Sequence, residues 1–180
     1  MKHNYWSIPN FINKNQIKDI TLLMEKEGRI FLNQAPTTKT SFCKYVSYKR
    51  IKPLLDLSEP ISFINKKAFG FDLYPHGDDN NFIFNKYEAT NKGEYKFHTD
   101  GESFKENYTI KLTSIINLSQ TKYEGGDLVL YDMAQPRIVK EFNQPGTLLV
   151  FPSFILHKVT PVTKGTRASG VLFTDGPWWR

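Results

Sequence analysis

The pattern of apolar and polar positions divides the chain into two textures. In the first, Ile17, Ile20, Leu23 or Met24 recur at helical spacing after Asn13, whose side-chain oxygen suits a helix cap, and Gly28 follows as a stop. This spacing predicts a helix over 13–27. A second helix is predicted over 58–68, opened by Ser58-Glu59-Pro60, with Ser58 as the cap, an early proline, and Ile61 and Ile64 facing inward. Between the two, residues 37–57 show no clear period, although 44–48 reads as a strand.

After residue 80 the helical period disappears. Short apolar or alternating runs, rich in β-branched residues, occupy 82–87, 95–98, 109–118, 127–131, 137–142, 147–151, 157–159 and 168–174, with Gly, Pro, Asn and Asp between them. Eight or so short strands punctuated by turns argue for a sandwich or barrel, and a double-sheet jelly roll is the leading form. The expected fold is therefore α+β in one domain over 1–180. Residues 1–79 would be mainly helical support, and 80–180 a jelly-roll (double-stranded β-helix) core of about eight strands holding the functional site.

Composition refines this picture. A chain of 180 residues suits one core, and although only 39% of it is hydrophobic, 14 Phe and 9 Tyr bury much area per residue. The net charge of +6 comes from scattered lysines without a basic block, so no nucleic-acid partner is expected. Cys43 is the single cysteine, which rules out an intrachain disulfide and fits a reducing compartment. The first residues lack an apolar signal core and no stretch could span a bilayer, so no membrane partner and a cytoplasmic location are expected. The excess of lysine over arginine and the abundance of asparagine fit a bacterial protein, or a viral one in a host cytoplasm.

The candidate chemistry is spread over four residues. His98 and Asp100 stand two apart on a predicted strand, which points both side chains to one face. Such a triplet also arises without function. His157 follows an apolar strand stopped by Pro152, where it is either a hydrogen-bonded core residue or a ligand from a strand facing the first pair. Two imidazoles and one carboxylate can occupy one face of an Fe(II) ion and leave the other open, the arrangement of non-haem iron oxygenases. Arg167 opens an apolar strand one turn later, and a buried arginine needs a partner: a bidentate carboxylate ligand, or a structural Asp or Glu.

These residues stand in segments that resemble the Fe(II)/2-oxoglutarate oxygenases of the prolyl 4-hydroxylase type, including the PKHD-type hydroxylases. Gly93-Glu94-Tyr95-Lys96-Phe97-His98-Thr99-Asp100-Gly101 looks like the family's Gly-x-x-Tyr-x-x-His-x-Asp segment, offset by one residue at the glycine. Tyr123-Glu124-Gly125-Gly126-Asp127-Leu128 looks like its Glu-Gly-Gly turn, residues 146–153 like its Gly-x-x-x-x-Phe-Pro-Ser strand, and 156–167 is the closest match. The resemblance implies that His98, Asp100 and His157 ligate Fe(II) and that Arg167 binds the distal carboxylate of 2-oxoglutarate. Tyr87, eleven residues before His98, matches the family tyrosine that helps hold that carboxylate, and Tyr95 is the competitor; either is otherwise a core residue.

The implied reaction hydroxylates an unactivated carbon while 2-oxoglutarate and dioxygen become succinate and carbon dioxide, with ascorbate as an accessory reductant. Because Asp100 supplies a carboxylate where related halogenases leave room for chloride, hydroxylation is expected over halogenation. The substrate implied is a prolyl residue of a protein or peptide. A free amino acid or other small molecule, or a non-enzymatic cupin-like binding module, are the alternatives. Loops 32–42 and 103–107 are candidate substrate grips, and Trp178 and Trp179 are expected to pack on the barrel.

Overall fold

The computed structural model describes residues 4–30, 37–100, 108–132 and 135–178. In chain order they form β1 (Trp6–Ile8), α1 (Lys14–Glu27), β2 (Arg29–Ile30), β3 (Phe42–Ser47), α2 (Tyr48–Ile51), α3 (Ser58–Ile64), β4 (Asn81–Glu88), β5 (Tyr95–His98), β6 (Tyr108–Asn117), β7 (Glu124–Gly125), β8 (Leu128–Asp132), β9 (Gln135–Ile138), β10 (Leu148–Pro152), β11 (His157–Val159), β12 (Val162–Lys164) and β13 (Thr166–Pro177). The large sheet runs β1-β10-β6-β13-β4-β3-β2 and the small one β5-β11-β8-β9, while β7 and β12 pair separately. Every pairing is antiparallel.

Strands therefore outnumber the eight expected. Three strands from the N-terminal part, β1, β2 and β3, extend the large sheet at both ends, β3 answering to the strand read at 44–48. The run at 137–142 splits: β9 ends at Ile138, and Lys140–Asn143 closes into a 3-10 turn that buries Phe142.

In α1 the cap is the expected one. Asn13 accepts from the backbone of Asn15 and Gln16, and Gln16 reaches back to the Asn13 N–H. In α3 Ser58 is not the cap; Leu57 holds that position, and Asp56 accepts from the Ser58 backbone at 2.9 Å. Beyond Ile64 the helix widens into a π turn, Asn65–Phe69, ended by Gly70 in the left-handed region.

The large sheet is buried on both faces. Ile17, Ile20, Met24, Ile61 and Ile64 from α1 and α3 cover one face together with Phe82, Phe84, Leu112, Ile116, Leu148 and Leu172. The other face, with Tyr87, Ile115, Leu149 and Phe151, meets Leu128, Leu130 and Val159 of the small sheet. Two-sided burial explains why β10 is apolar and buried at every position, where a half-exposed strand would alternate.

Register decides what faces the space between the sheets. Where β6 pairs with β13, Leu112 lies opposite Thr174 but Ile110 lies opposite Asp175, which leaves Lys111 as an extra residue. This bulge resets the alternation, so that Ile110 and Thr113, three apart, both face inward.

Candidate active site

His98 ends β5, His157 opens β11, and the two are direct cross-strand partners with ring centroids 4.1 Å apart. Asp100 lies just past the end of β5, so alternation along a strand does not place it. Its backbone N–H donates to Ser153 O at 2.9 Å, and Thr113 Oγ1 donates to its Oδ2 at 2.8 Å. The carboxylate then faces both imidazoles, 3.5 Å from His98 Nε2 and 3.4 Å from His157 Nε2. All three donor atoms lie within 4.8 Å of one another.

The tautomer follows from the hydrogen bonds. Nδ1 of His98 is 2.8 Å from Lys96 O, and Nδ1 of His157 is 2.9 Å from Ile155 O. A carbonyl only accepts, so Nδ1 carries the proton and each Nε2 offers its lone pair inward. Burial holds both imidazoles neutral, pushing each down to about 4, with the neighbouring His157 adding to the effect at His98. The same burial raises the Asp100 carboxyl. Two neutral nitrogens and a carboxylate aimed at one point, each oriented by a second hydrogen bond, form a donor set that fits a divalent metal.

On β13 of the large sheet lies Arg167, with none of its surface exposed. Its Nη1 donates to Ser169 Oγ at 3.1 Å, whereas Nε and Nη2 are buried with no hydrogen-bond partner. The guanidinium lies 5.1 Å from the ring centre of Tyr87, its cross-strand partner on β4, and 5.4 Å from that of Phe142. No carboxylate pairs with it among the described residues. Space for the side chain comes from Gly126, which has φ +63: a Cβ there would stand 2.9 Å from Arg167 Cδ. The two orphaned N–H groups suit a carboxylate brought by a ligand.

Between the sheets lies a cavity of about 610 Å³. His98, Asp100 and His157 form part of one wall, and Asn85, Tyr87, Ser169 and Val171 part of the opposite one. Arg167 is not on the wall itself; Tyr87 and Ser169, the groups it touches, are. The two tyrosines part company here. Tyr87 accompanies Arg167, and burial raises its hydroxyl well above the usual range. Tyr95 stacks on His98 with ring centroids 3.5 Å apart, its hydroxyl pushed up to about 12 by burial and then by Asp100.

Two further residues at the site, Thr113 and Asn85, have no counterpart in the sequence expectations, and a third, Lys39, falls in the 32–42 loop expected to grip substrate. Thr113 and Asn85 carry a signal, being polar side chains at inward positions of otherwise apolar strands. For Lys39 the sequence marks only the loop, and the fold brings that residue to β5. Loop residues 32–36 and 103–107 and Trp179 lie outside the described residues, and Trp178 is 49% exposed.

A family model described as the 2OG-Fe(II) oxygenase superfamily matches residues 82–175. A PKHD-type hydroxylase of Aliarcobacter butzleri is 30% identical over 171 residues, covering 89% of this chain and 73% of that protein. The PKHD-type hydroxylase YbiX of Escherichia coli is 32% identical over 121 residues, covering 64% of this chain. That match spans about half of YbiX, 52% of its length. Among solved structures, a prolyl-4-hydroxylase of Pseudomonas putida superposes with a TM-score of 0.75 at 14% identity, over 98% of this chain and 94% of that one. The viral collagen prolyl hydroxylase of Paramecium Bursaria Chlorella virus-1 gives 0.67 at 15%, over 96% of each. At such identities the structural likeness is one of fold.

Proposed function

The chain belongs to the 2OG-Fe(II) oxygenase superfamily, whose cofactors are Fe(II), 2-oxoglutarate and dioxygen, and from that premise we propose that it hydroxylates a prolyl residue of a protein or peptide. The observation that carries this reading is the pairing of two features across one cavity. One is a His-Asp-His donor set; the other is a buried arginine with two unmatched N–H groups. The assignment to peptidyl proline rests on the PKHD-type relatives and on the prolyl hydroxylases that share the fold.

Within this reading, Fe(II) and 2-oxoglutarate supply dioxygen activation coupled to decarboxylation to succinate. His98, Asp100 and His157 would hold the metal. Thr113 keeps Asp100 turned towards that position. Arg167, with Nε and Nη2 unmatched, would take the distal carboxylate, and the adjacent Tyr87 hydroxyl, kept protonated by burial, would donate to the same group. Tyr95 braces the His98 ring. The apolar wall of Ile115, Leu128, Phe151 and Val159 keeps water from the reacting centre.

The described residues act as one catalytic unit in this proposal, and the buried lone thiol of Cys43 suits the cytoplasm. No helix among the described residues is long and apolar enough to cross a membrane.

The test is succinate and carbon dioxide release from the Fe(II)-loaded protein with proline-containing peptides, free amino acids and no substrate. Peptide-dependent turnover with a mass gain of one oxygen on proline is expected. His98→Ala and Asp100→Ala should abolish it. Turnover that survives both substitutions would refute the assignment, and turnover with free amino acids alone would move the substrate to a small molecule.

A further inference from the structure

Apart from the histidines, Lys39 is the only cationic side chain among the described residues that line the cavity. Its backbone is fixed against β5. Lys39 bridges to Tyr95, Thr40 N–H donates to Glu94 O at 2.8 Å, and Lys96 N–H donates to Thr38 O at 2.8 Å. The ammonium donates to Asn85 Oδ1 at 2.7 Å and lies 4.8 Å from the centre of the Tyr95 ring, which itself stacks on His98. Lys39 is therefore held by contacts on two sides, between Asn85 and the ring that stacks on His98. Its positive charge adds the smallest of several contributions that favour a neutral His98 and an ionised Asp100, burial being the largest influence on both.

The position differs from that of Arg167. Lys39 is tied to Asn85, whereas Arg167 is the cross-strand partner of Tyr87. Asn85 and Tyr87 are one side-chain repeat apart on the cavity face of β4, roughly 7 Å. The two cations thus address two points along the strand.

2-Oxoglutarate, a dicarboxylate, carries one carboxylate at each end and so can meet two such points. At the metal end, a carboxylate oxygen not taken up by the ion would face a largely apolar cavity, where an unmet acceptor is costly. We propose that Lys39 binds the cosubstrate at this end, donating to the carboxylate next to the keto group while Arg167 takes the distal one. The proposal rests on the reading of the cavity as a 2-oxoglutarate site.

Calorimetry without oxygen tests it, using the Mn(II)-loaded protein and two ligands: 2-oxoglutarate, and 2-oxopentanoate, which lacks the distal carboxylate. Lys39→Met should weaken both acids by a similar factor, about 10- to 100-fold for a charge-assisted hydrogen bond. Arg167→Met should weaken 2-oxoglutarate and leave 2-oxopentanoate unchanged. Lys39→Arg should restore most of the loss, and Mn(II) affinity in the absence of either acid should match wild type in both Lys39 variants.

If Lys39→Met leaves both acids unchanged, the lysine serves something other than the cosubstrate and the proposal fails. A loss confined to 2-oxoglutarate would move Lys39 to the distal carboxylate. A parallel loss of Mn(II) affinity would make it a support for His98 and Tyr95. A wild-type protein that binds Mn(II) and neither acid would overturn the cosubstrate reading itself.

Discussion

A guanidinium with no exposed surface and two unmatched donors is unfavourable to bury, and in Arg167 that cost is present before any ligand arrives. Arg167→Met keeps much of the volume and removes the orphaned groups. It should leave the cofactor-free protein at least as stable as wild type in thermal denaturation, while weakening 2-oxoglutarate binding by roughly 30- to 1000-fold in calorimetry. A large loss of stability would instead mark Arg167 as a structural residue.

The histidines permit a second test. Both hold pKa values near 4, so in the metal-free protein their nitrogen resonances should show neutral rings protonated at Nδ1, with no titration step between pH 8 and 5. The sign for stability follows. Unfolded histidines bind protons near 6.5 and these do not until about 4, so acidification through that window favours unfolding. The raised Asp100 carboxyl, which takes its proton earlier in the folded state, opposes the effect.

Among the elements, β6 decides how the carboxylate is aimed. The bulge at Lys111 turns Thr113 towards Asp100, and Ser153, whose backbone N–H donates to Lys111 O, holds the Asp100 backbone from the other side. Thr113→Val should preserve the fold and lower Mn(II) affinity about 10- to 100-fold, the usual consequence of losing a group that orients a metal ligand. Unchanged affinity would show that the Ser153 contact suffices. The elements themselves were only partly readable in the sequence. The α1 cap was plain because it is a local bargain among Asn13, Gln16 and their own backbone. The start of α3 and the end of β9 depart from the expected pattern because Leu57 takes the cap position with no side-chain cap, and because the burial of Phe142, which the surrounding packing sets, turns the chain after Ile138.

At the scale of the whole molecule, the site joins two sheets, so ligands should bind in order and tie the halves together. Mn(II) should raise the melting temperature first. 2-Oxoglutarate should raise it further only when metal is present, by about 2.7 kcal/mol of stability at a hundredfold excess over its dissociation constant. Stabilisation by 2-oxoglutarate without metal would point to a site built on Arg167 and Lys39 alone. What the sequence by itself determined were the features that repeat locally or lie in contiguous segments: strand periodicity, the Gly125-Gly126 turn, and the residues His98, Asp100, His157 and Arg167 as chemical types. Only the tertiary structure decided that β5 and β11 pair with the two histidines opposite each other, that Tyr87 and not Tyr95 lies against Arg167, and that Lys39 reaches the cavity. Cross-strand register and the bridge from Lys39 to Tyr95 join residues dozens of positions apart, and such contacts leave no period in the chain from which they could be read.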